Sequence, residues 1–517
     1  MTKGTVKGVI ANMVTVAVDG PVSQGEICYI ETGGDRLMSE VIKVVGSNAF
    51  VQVFESTRGL KVGSPVEFTG HMLEVQLAPG MLSKNYDGLQ NDLDKMEGVF
   101  LKRGQYTDPL DADRIWDFEP IAKVGDEVQS SDWLGSVEEN HQPLKIMAPF
   151  QMEGKAKVKS IVPAGKYKIH DTIAVLTDEK GNDINVNMIQ HWPVKFAMTN
   201  YKQKPRPFKL LETGVRTIDT FNPIVEGGTG FIPGPFGTGK TVLQHAISKQ
   251  AEADIVIIAA CGERANEVVE IFTEFPELVD PHTGRKLMER TIIIANTSNM
   301  PVAAREASVY TAMTMAEYYR SMGLRVLLMA DSTSRWAQAL REMSGRLEEM
   351  PGEEGYPAYL ASRIASFYER AGQTISLGKE GRLGALSAIG AVSPPGGDIS
   401  EPVSQATLRI VKVFWCLDSQ LAYARHFPAI NWLQSYSLYV DKLEAWYEDN
   451  VGKDFPKMRA KAMELLQDEA ELNEVVQLVG ADSLSFEDRM KLEVCKSIRE
   501  DYLHQIAFHE VDTYASM

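Results

Sequence analysis

Residues 234–241 read Gly-Pro-Phe-Gly-Thr-Gly-Lys-Thr, a G-x-x-x-x-G-K-[ST] loop set between an apolar segment ending in Phe231-Ile232-Pro233 and a helical run that opens at Val242. Three glycines let the backbone curl until successive N–H groups point inward at a phosphate, Lys240 adds a point charge, and the Thr241 hydroxyl can reach a Mg²⁺ ion. The helix behind the loop turns its positive end toward the same anion. A strand, such a loop and a helix are the first half of a βαβ unit, which commits the surrounding chain to an α/β fold around a mainly parallel sheet. The alternative is a plain Gly-rich turn before a helix, and the strand-like and helix-like flanks argue against it. Gly234, Pro235, Phe236, Gly237, Thr238, Gly239, Lys240, Thr241 and Val242 are therefore the expected triphosphate-binding set, with Thr241 also a metal ligand.

The patterning around this loop changes character along the chain. From Thr5 to about Glu67, short alternating bursts such as Val9–Val18, Glu26–Ile30 and Ala49–Phe54 are broken by Gly20, Gly33 and Gly59, which predicts a small antiparallel β-barrel over residues 1–68. A second β-rich block, assigned to 119–187, has the strand order of barrel-sandwich carrier domains. A carrier needs its modified lysine at a hairpin tip, commonly beside methionines. That motif is missing and Lys145 lies past the expected tip, so the block reads as an inserted structural module.

Residues 69–118 and 188–438 are assigned to the nucleotide-binding P-loop domain, and 439–517, helical in pattern, to a C-terminal domain. Between Lys209 and Pro402 four apolar runs stand out: the segment before Gly234, Ile255–Ala260, Thr291–Ala295 and Arg325–Ala330. In an open parallel sheet, ligands sit beyond the carboxyl ends of strands, so Glu263, Arg264, Asn296, Ser298, Asp331 and Ser332 should converge on one crevice.

Composition narrows the class. At 517 residues and 44% hydrophobic the chain can bury several cores, and its apolar runs stop far short of the roughly 20 residues a spanning helix needs. The N-terminus lacks an apolar export core, and Cys28, Cys261, Cys416 and Cys495 show no paired metal spacing, as expected of a cytoplasmic chain without disulfides. A net charge of −17 argues against nucleic acid as a partner, so an anion must be held by a local site.

Two acidic residues carry the remaining chemistry. Asp331 closes the apolar run Val326–Ala330, where a carboxylate can hold Mg²⁺ opposite Thr241; the rival reading is a helix N-cap, a job open also to Ser332, Thr333 and Ser334. Glu263, in Cys261-Gly-Glu-Arg-Ala-Asn-Glu267, follows the apolar run Ile255–Ala260, the first after the P-loop helix, where a carboxylate could orient a water in line with the leaving oxygen. Arg264 could hold the γ-phosphate or fix the glutamate. On residue logic alone, a surface Glu–Arg pair explains them equally well.

Six long segments, GPFGTGKT, CGERANE, Leu327–Glu342, Glu348–Gly372, Ala388–Gln405 and Phe414–Tyr439, resemble in order the catalytic A chain of V-type and A-type rotary ATPases. The likeness runs through the N-terminal barrel and the inserted block, which is similar to the "bulge" of those chains. It implies ATP/ADP and Mg²⁺ as ligands, Glu263, Arg264 and Lys240 in catalysis, Asp331 in metal support, and Phe427 and Phe508 as an adenine sandwich of loose base selectivity. Ordinary core aromatics are the alternative for the last two.

The resemblance further implies a peripheral position on the cytoplasmic face of a membrane and an alternating A3B3 ring. There the B subunit lends an arginine finger, stalk subunits bind the ring, and a separate membrane sector moves protons or sodium. Thr238 stands where eukaryotic relatives carry a cysteine, so thiol control of the loop is not expected. The family's C-terminal domain continues past the position matching Phe508, so a shortened domain is expected here. Competing readings are an export ATPase or RNA helicase of the same core fold, or a nucleotide-binding subunit that does not hydrolyse.

Overall fold

The computed structural model describes residues 2–96, 104–235, 237–480 and 483–517. Lys3–Ile10, Met13–Val18, Glu26–Thr32, Asp35–Val45, Asn48–Val53 and Pro65–Met72 close into a six-stranded antiparallel barrel. Alternating inward residues, among them Val6, Val16, Ile30, Val41, Val51 and Phe68, fill its interior. The burst Val9–Val18 is two strands rather than one, because Ala11 takes a positive φ of 52° and turns the chain between them. Small polar residues and glycine tolerate that conformation better than alanine, so this turn carries no sequence signal.

The inserted block is a sandwich of two four-stranded sheets. One holds Glu127–Gln129, Lys155–Ile161, Ala174–Asp178 and Asp183–Val186, the other Gln142–Met147, Trp133–Glu139, Ile115–Pro120 and Gly165–Lys168. The strand Ile115–Pro120 pairs inside this block, spanning the expected start at 119. Lys145 lies within a strand with its ammonium 4.8 Å from the centre of the Trp133 ring, so it is a packed side chain rather than a hairpin-tip lysine.

The nucleotide-binding domain is built on a sheet of, among the described residues, ten strands. Its parallel centre runs Thr229–Pro233, Leu383–Val392, Arg325–Asp331, Ile255–Glu263 and Thr291–Thr297. Ile255–Glu263 is buried at every position, which explains why it reads as a continuous apolar run: helices cover both faces. The strand Leu383–Val392 sits between the P-loop strand and the Asp331 strand, and it is not one of the four expected runs. Three small residues at Gly384, Ser387 and Gly390 mask it; at Gly390 a Cβ would come within 2.0 Å of the Tyr368 hydroxyl.

The helix Val302–Ser321 is buried along its whole length although it carries Arg305, Glu306, Glu317 and Arg320. Those charges are paired in place: Glu317 takes the Met198 N–H at 2.6 Å and the Arg370 guanidinium, and Lys195 stands 3.5 Å from Glu306. Burial of this kind demands a partner for each charge. The C-terminal part is helical, with Val440–Asn450, Phe455–Val479 and Phe486–Ser497; the last starts at Ser485, whose hydroxyl accepts the Asp488 N–H at 3.1 Å in the Ser-x-x-Asp spacing of a helix N-cap. Residues 504–517 then return to the P-loop domain.

Candidate functional site

The P-loop leaves the strand Thr229–Pro233 and enters the helix Lys240–Gln250. Gly237 and Gly239 both take φ near +82°, the left-handed conformation that turns their amides inward. At Gly239 it is the positive φ that calls for glycine, since a Cβ there would meet the Phe427 ring only at an ordinary contact distance of 3.5 Å. The Thr238 hydroxyl donates to the Pro235 carbonyl at 2.7 Å and closes the loop on itself. Phe236 lies outside the described residues.

Lys240 reaches across the sheet end. Its ammonium donates to Ser393 Oγ at 2.5 Å and stands 3.1 Å from Asp331 Oδ1. The two contacts come from the ends of adjacent strands, Leu383–Val392 and Arg325–Asp331, so the lysine ties the loop to the sheet edge where the phosphates belong. Apart from their ion pairs with Lys240 and Arg335, Asp331 Oδ1 and Glu263 Oε1 are buried with no hydrogen-bond partner. Both face a 220 Å³ cavity that Lys240, Thr241, Glu267 and Arg335 also line.

Glu263 reaches this cavity because the strand slips there. Gly262 takes a φ of +83° and the register against Thr291–Thr297 shifts between Cys261 and Glu263, a bulge that re-aims the side chain. Only 4% of Glu263 is exposed, and Arg335 Nε stands 3.3 Å from Oε1. Burial pushes the Glu263 carboxyl well above the ordinary range, and Glu267 and Asp331 add to the shift against the opposing charges of Arg335 and Lys240. Glu267 is held low, chiefly by its hydrogen bond with Glu263 and then by the charges of Arg335, Arg264 and Lys240. A buried carboxyl raised in this way has the affinity a general base needs near neutrality.

Arg264 occupies the N-cap position of the helix Ala265–Glu274 without a side-chain capping bond and is exposed, outside the residues lining this cavity. The arginine that does line it is Arg335, in the first turn of the helix Thr333–Arg346, anchored by a 3.2 Å bond to the Gly262 carbonyl. Arg335, Glu267 and Ser393 are not among the residues the sequence singles out. A turn-by-turn reading of Asp331-Ser-Thr-Ser-Arg335 would have found the first, because a residue four past a strand-end Asp lies on the first turn of the next helix, over the same crevice. Asn296 does not face the cavity freely, since its side chain accepts the Gly88 N–H at 2.6 Å; Ser298 donates its amide to the Glu263 carbonyl at 2.9 Å.

Beside the phosphate cavity lies a larger one of about 450 Å³, lined by Val242, Phe427, Pro428, Gln505, Ala507 and Phe508 among others. Phe427 is 37% exposed and Phe508 85%, and both line this opening rather than a core. An apolar slot against the P-loop suits a flat aromatic base.

A parallel sheet, a phosphate loop, and a lysine, threonine and two carboxylates gathered beyond the strand ends define a P-loop nucleoside triphosphatase. Family models locate it further. Residues 214–437 match the nucleotide-binding domain of the ATP synthase alpha/beta family, 6–70 its β-barrel domain, 107–195 its barrel-sandwich domain, and 444–517 the C-terminal domain of V and A type ATP synthase. The chain is 56% identical to the V-type ATP synthase alpha chain of Clostridioides difficile (strain 630) over 97% of its length and 86% of that protein. It is 54% identical to the corresponding A chain of the A-type ATP synthase of Methanopyrus kandleri over 99% and 87%. The chain belongs to the ATP synthase alpha/beta family as a V/A-type alpha, or catalytic A, chain, one that hydrolyses and forms ATP and binds ATP and ADP.

Proposed function

We propose that ATP is cleaved or formed in the 220 Å³ cavity, with the P-loop and Lys240 holding the β and γ phosphates, Glu263 orienting and deprotonating the attacking water, and Arg335 fixing Glu263 and facing the γ-phosphate. The observation that carries this reading is the convergence of Lys240, Thr241, Glu263, Asp331 and Arg335 on that one cavity. The adenine is assigned to the apolar cavity between Phe427 and Phe508.

A magnesium ion fits the Thr241–Asp331 side. Asp331 Oδ1 is a buried hard oxygen whose partner is the Lys240 ammonium at 3.1 Å, which a bound phosphate would draw away. Among the described residues no cluster of three or more Asp, Glu, His or Cys side chains forms a metal cage. That accords with Mg²⁺, which is commonly held by one or two protein oxygens together with substrate phosphates. When bound, the ion would neutralise charge on the β and γ phosphates.

The chain works, on this reading, in a ring with B chains that lend an arginine, worth on the order of 10³–10⁵ in rate. That ring engages stalk subunits and drives, or is driven by, ion movement through a separate membrane sector at the cytoplasmic face. Among the described residues no helix is long and apolar enough to cross a membrane. The relatives' names, V-type and A-type ATP synthase chains, support this assembly. The non-hydrolysing alternative is disfavoured by the intact lysine and the buried Glu263, and the helicase alternative by the −17 charge. The test is ATPase activity of Glu263→Gln in a ring reconstituted with B chains: turnover disappears while ATP binding stays. Unchanged turnover would remove Glu263 from the chemistry.

A further inference from the structure

The wall of the base cavity that carries Phe508 is a loop anchored at both ends and braced at its middle by Thr513 and by an Asp512 clasp. At its start, Gln505 donates its backbone N–H to the Phe427 carbonyl at 2.7 Å and its side-chain amide to the Gly214 carbonyl at 2.8 Å, while accepting the Arg216 N–H at 2.9 Å. At its end, Ala515 donates to the same Gly214 carbonyl at 3.0 Å, and the Tyr514 hydroxyl donates to Glu212 at 2.7 Å.

Between these anchors Thr513 braces the loop, its hydroxyl donating to the Ala507 carbonyl at 2.7 Å and accepting from the Gln250 amide at 2.6 Å, and Asp512 ties it to the body of the domain. One carboxylate oxygen accepts the Ile506 N–H at 2.7 Å and closes the loop; the other accepts from the Arg216 guanidinium at 2.7 Å. The same guanidinium donates to the Tyr502 carbonyl at 2.6 Å and the His504 carbonyl at 2.9 Å. Arg216 thus gathers three acceptors in one fork, a job its planar donor set performs and a lysine cannot. Phe508 is 85% exposed, so little packing of its own holds it.

We infer that the Arg216–Asp512 clasp is the positioning device that holds Phe508 opposite Phe427, so that these two residues set how tightly the site grips the base of its nucleotide without touching the nucleotide themselves. The inference rests on the base-pocket assignment above. Arg216 leads into the segment Thr217–Phe221 and stands apart from the residues lining the phosphate cavity, so loss of the clasp loosens the base wall and leaves the phosphate grip in place. The anchors at Gln505 and Tyr514 keep the loop attached, which makes the effect selective rather than a general unfolding.

The experiment measures binding of Mg·ATP and of Mg·tripolyphosphate, which has no base, to the full chain by titration calorimetry, for the native protein, Asp512→Asn, Arg216→Lys and Phe508→Ala. The expected result is that Asp512→Asn and Arg216→Lys each weaken ATP binding about tenfold, the size of one lost charge-assisted hydrogen bond. Tripolyphosphate affinity should stay within about twofold. Unchanged ATP affinity in both clasp variants alongside a weakened Phe508→Ala overturns the clasp and leaves the base pocket standing. Unchanged ATP affinity in Phe508→Ala overturns the base-pocket reading itself. Parallel losses of ATP and tripolyphosphate in the clasp variants also overturn the inference, since they would show a structural role for the whole site.

Discussion

The Lys240 ammonium lies 3.1 Å from Asp331 and 2.5 Å from the Ser393 hydroxyl, so the P-loop lysine bridges the ends of two neighbouring strands. On the proposed reading, a triphosphate in the loop would take over the lysine and leave Asp331 free to support a metal ion. Asp331→Asn should therefore lower Mg²⁺-dependent turnover about 10²-fold or more, the scale of lost electrostatic stabilisation at a reacting phosphate. Metal-free ADP binding should survive. Mg²⁺ titrations of turnover and of ADP binding, run side by side, check both halves.

Glu263 sits in a buried site beside Glu267 and Asp331, and its carboxyl is raised accordingly. A base must be ionised to accept the water's proton, so kcat/KM of the ring should fall as pH drops through that raised value and not through the usual carboxylate range. In Glu267→Gln an amide replaces a carboxylate and donates to the ionised Glu263, which favours the charged form. The acid limb of the pH profile should move to lower pH in that variant; an unmoved limb would assign it to another group.

Arg335→Ala should uncouple the base without emptying the site. It removes the 3.3 Å partner of Glu263 and the anchor on the Gly262 carbonyl, so turnover should fall about 10²-fold with ADP affinity changed little. Arg264→Ala, at an exposed helix cap outside the cavity, should cost far less, and comparison of the two rates in the ring decides between the arginines.

Burial pushes the Asp219 carboxyl up to about 7, against the hydrogen bonds it accepts from Thr213 and Gly214. An unfolded aspartate titrates near ~4. Between these values the native state keeps a proton that the unfolded state releases, so this contribution to stability is complete below about 4 and is lost as pH rises to about 7. The melting temperature should show that falling component, and Asp219→Asn should flatten it.

Gly214 takes a φ of +73°, and a Cβ there would lie 2.2 Å from the Tyr514 ring. Gly214→Ala combines backbone strain with a clash and should cost about 2–4 kcal/mol, seen as a lower melting temperature. Tyr514→Ala in the same chain should restore part of the loss by removing the clash.

Local chemistry made a large part of this protein legible from its residues. The P-loop, the apolar central strands, the alternating barrel and the Ser485 cap all express requirements met within a few neighbouring positions, whether glycine dihedrals, two-sided burial or a capped amide. Strand Leu383–Val392 escaped because close packing against Tyr368 and Arg320 demands small residues there, which erases its apolar signature. Helix Val302–Ser321 hid its burial because its charges find partners distant in sequence.

Residue order also named Lys240, Thr241, Glu263 and Asp331 as a group, since each follows a strand and strands of one parallel sheet end together. Only the folded chain could choose Arg335 over Arg264 as the arginine beside Glu263, or put Ser393 on Lys240 and Asp512 on Arg216. Those pairings depend on strand order, on a one-residue bulge at Gly262 and on the path of a returning tail, and such long-range geometry leaves no periodic trace in a linear sequence.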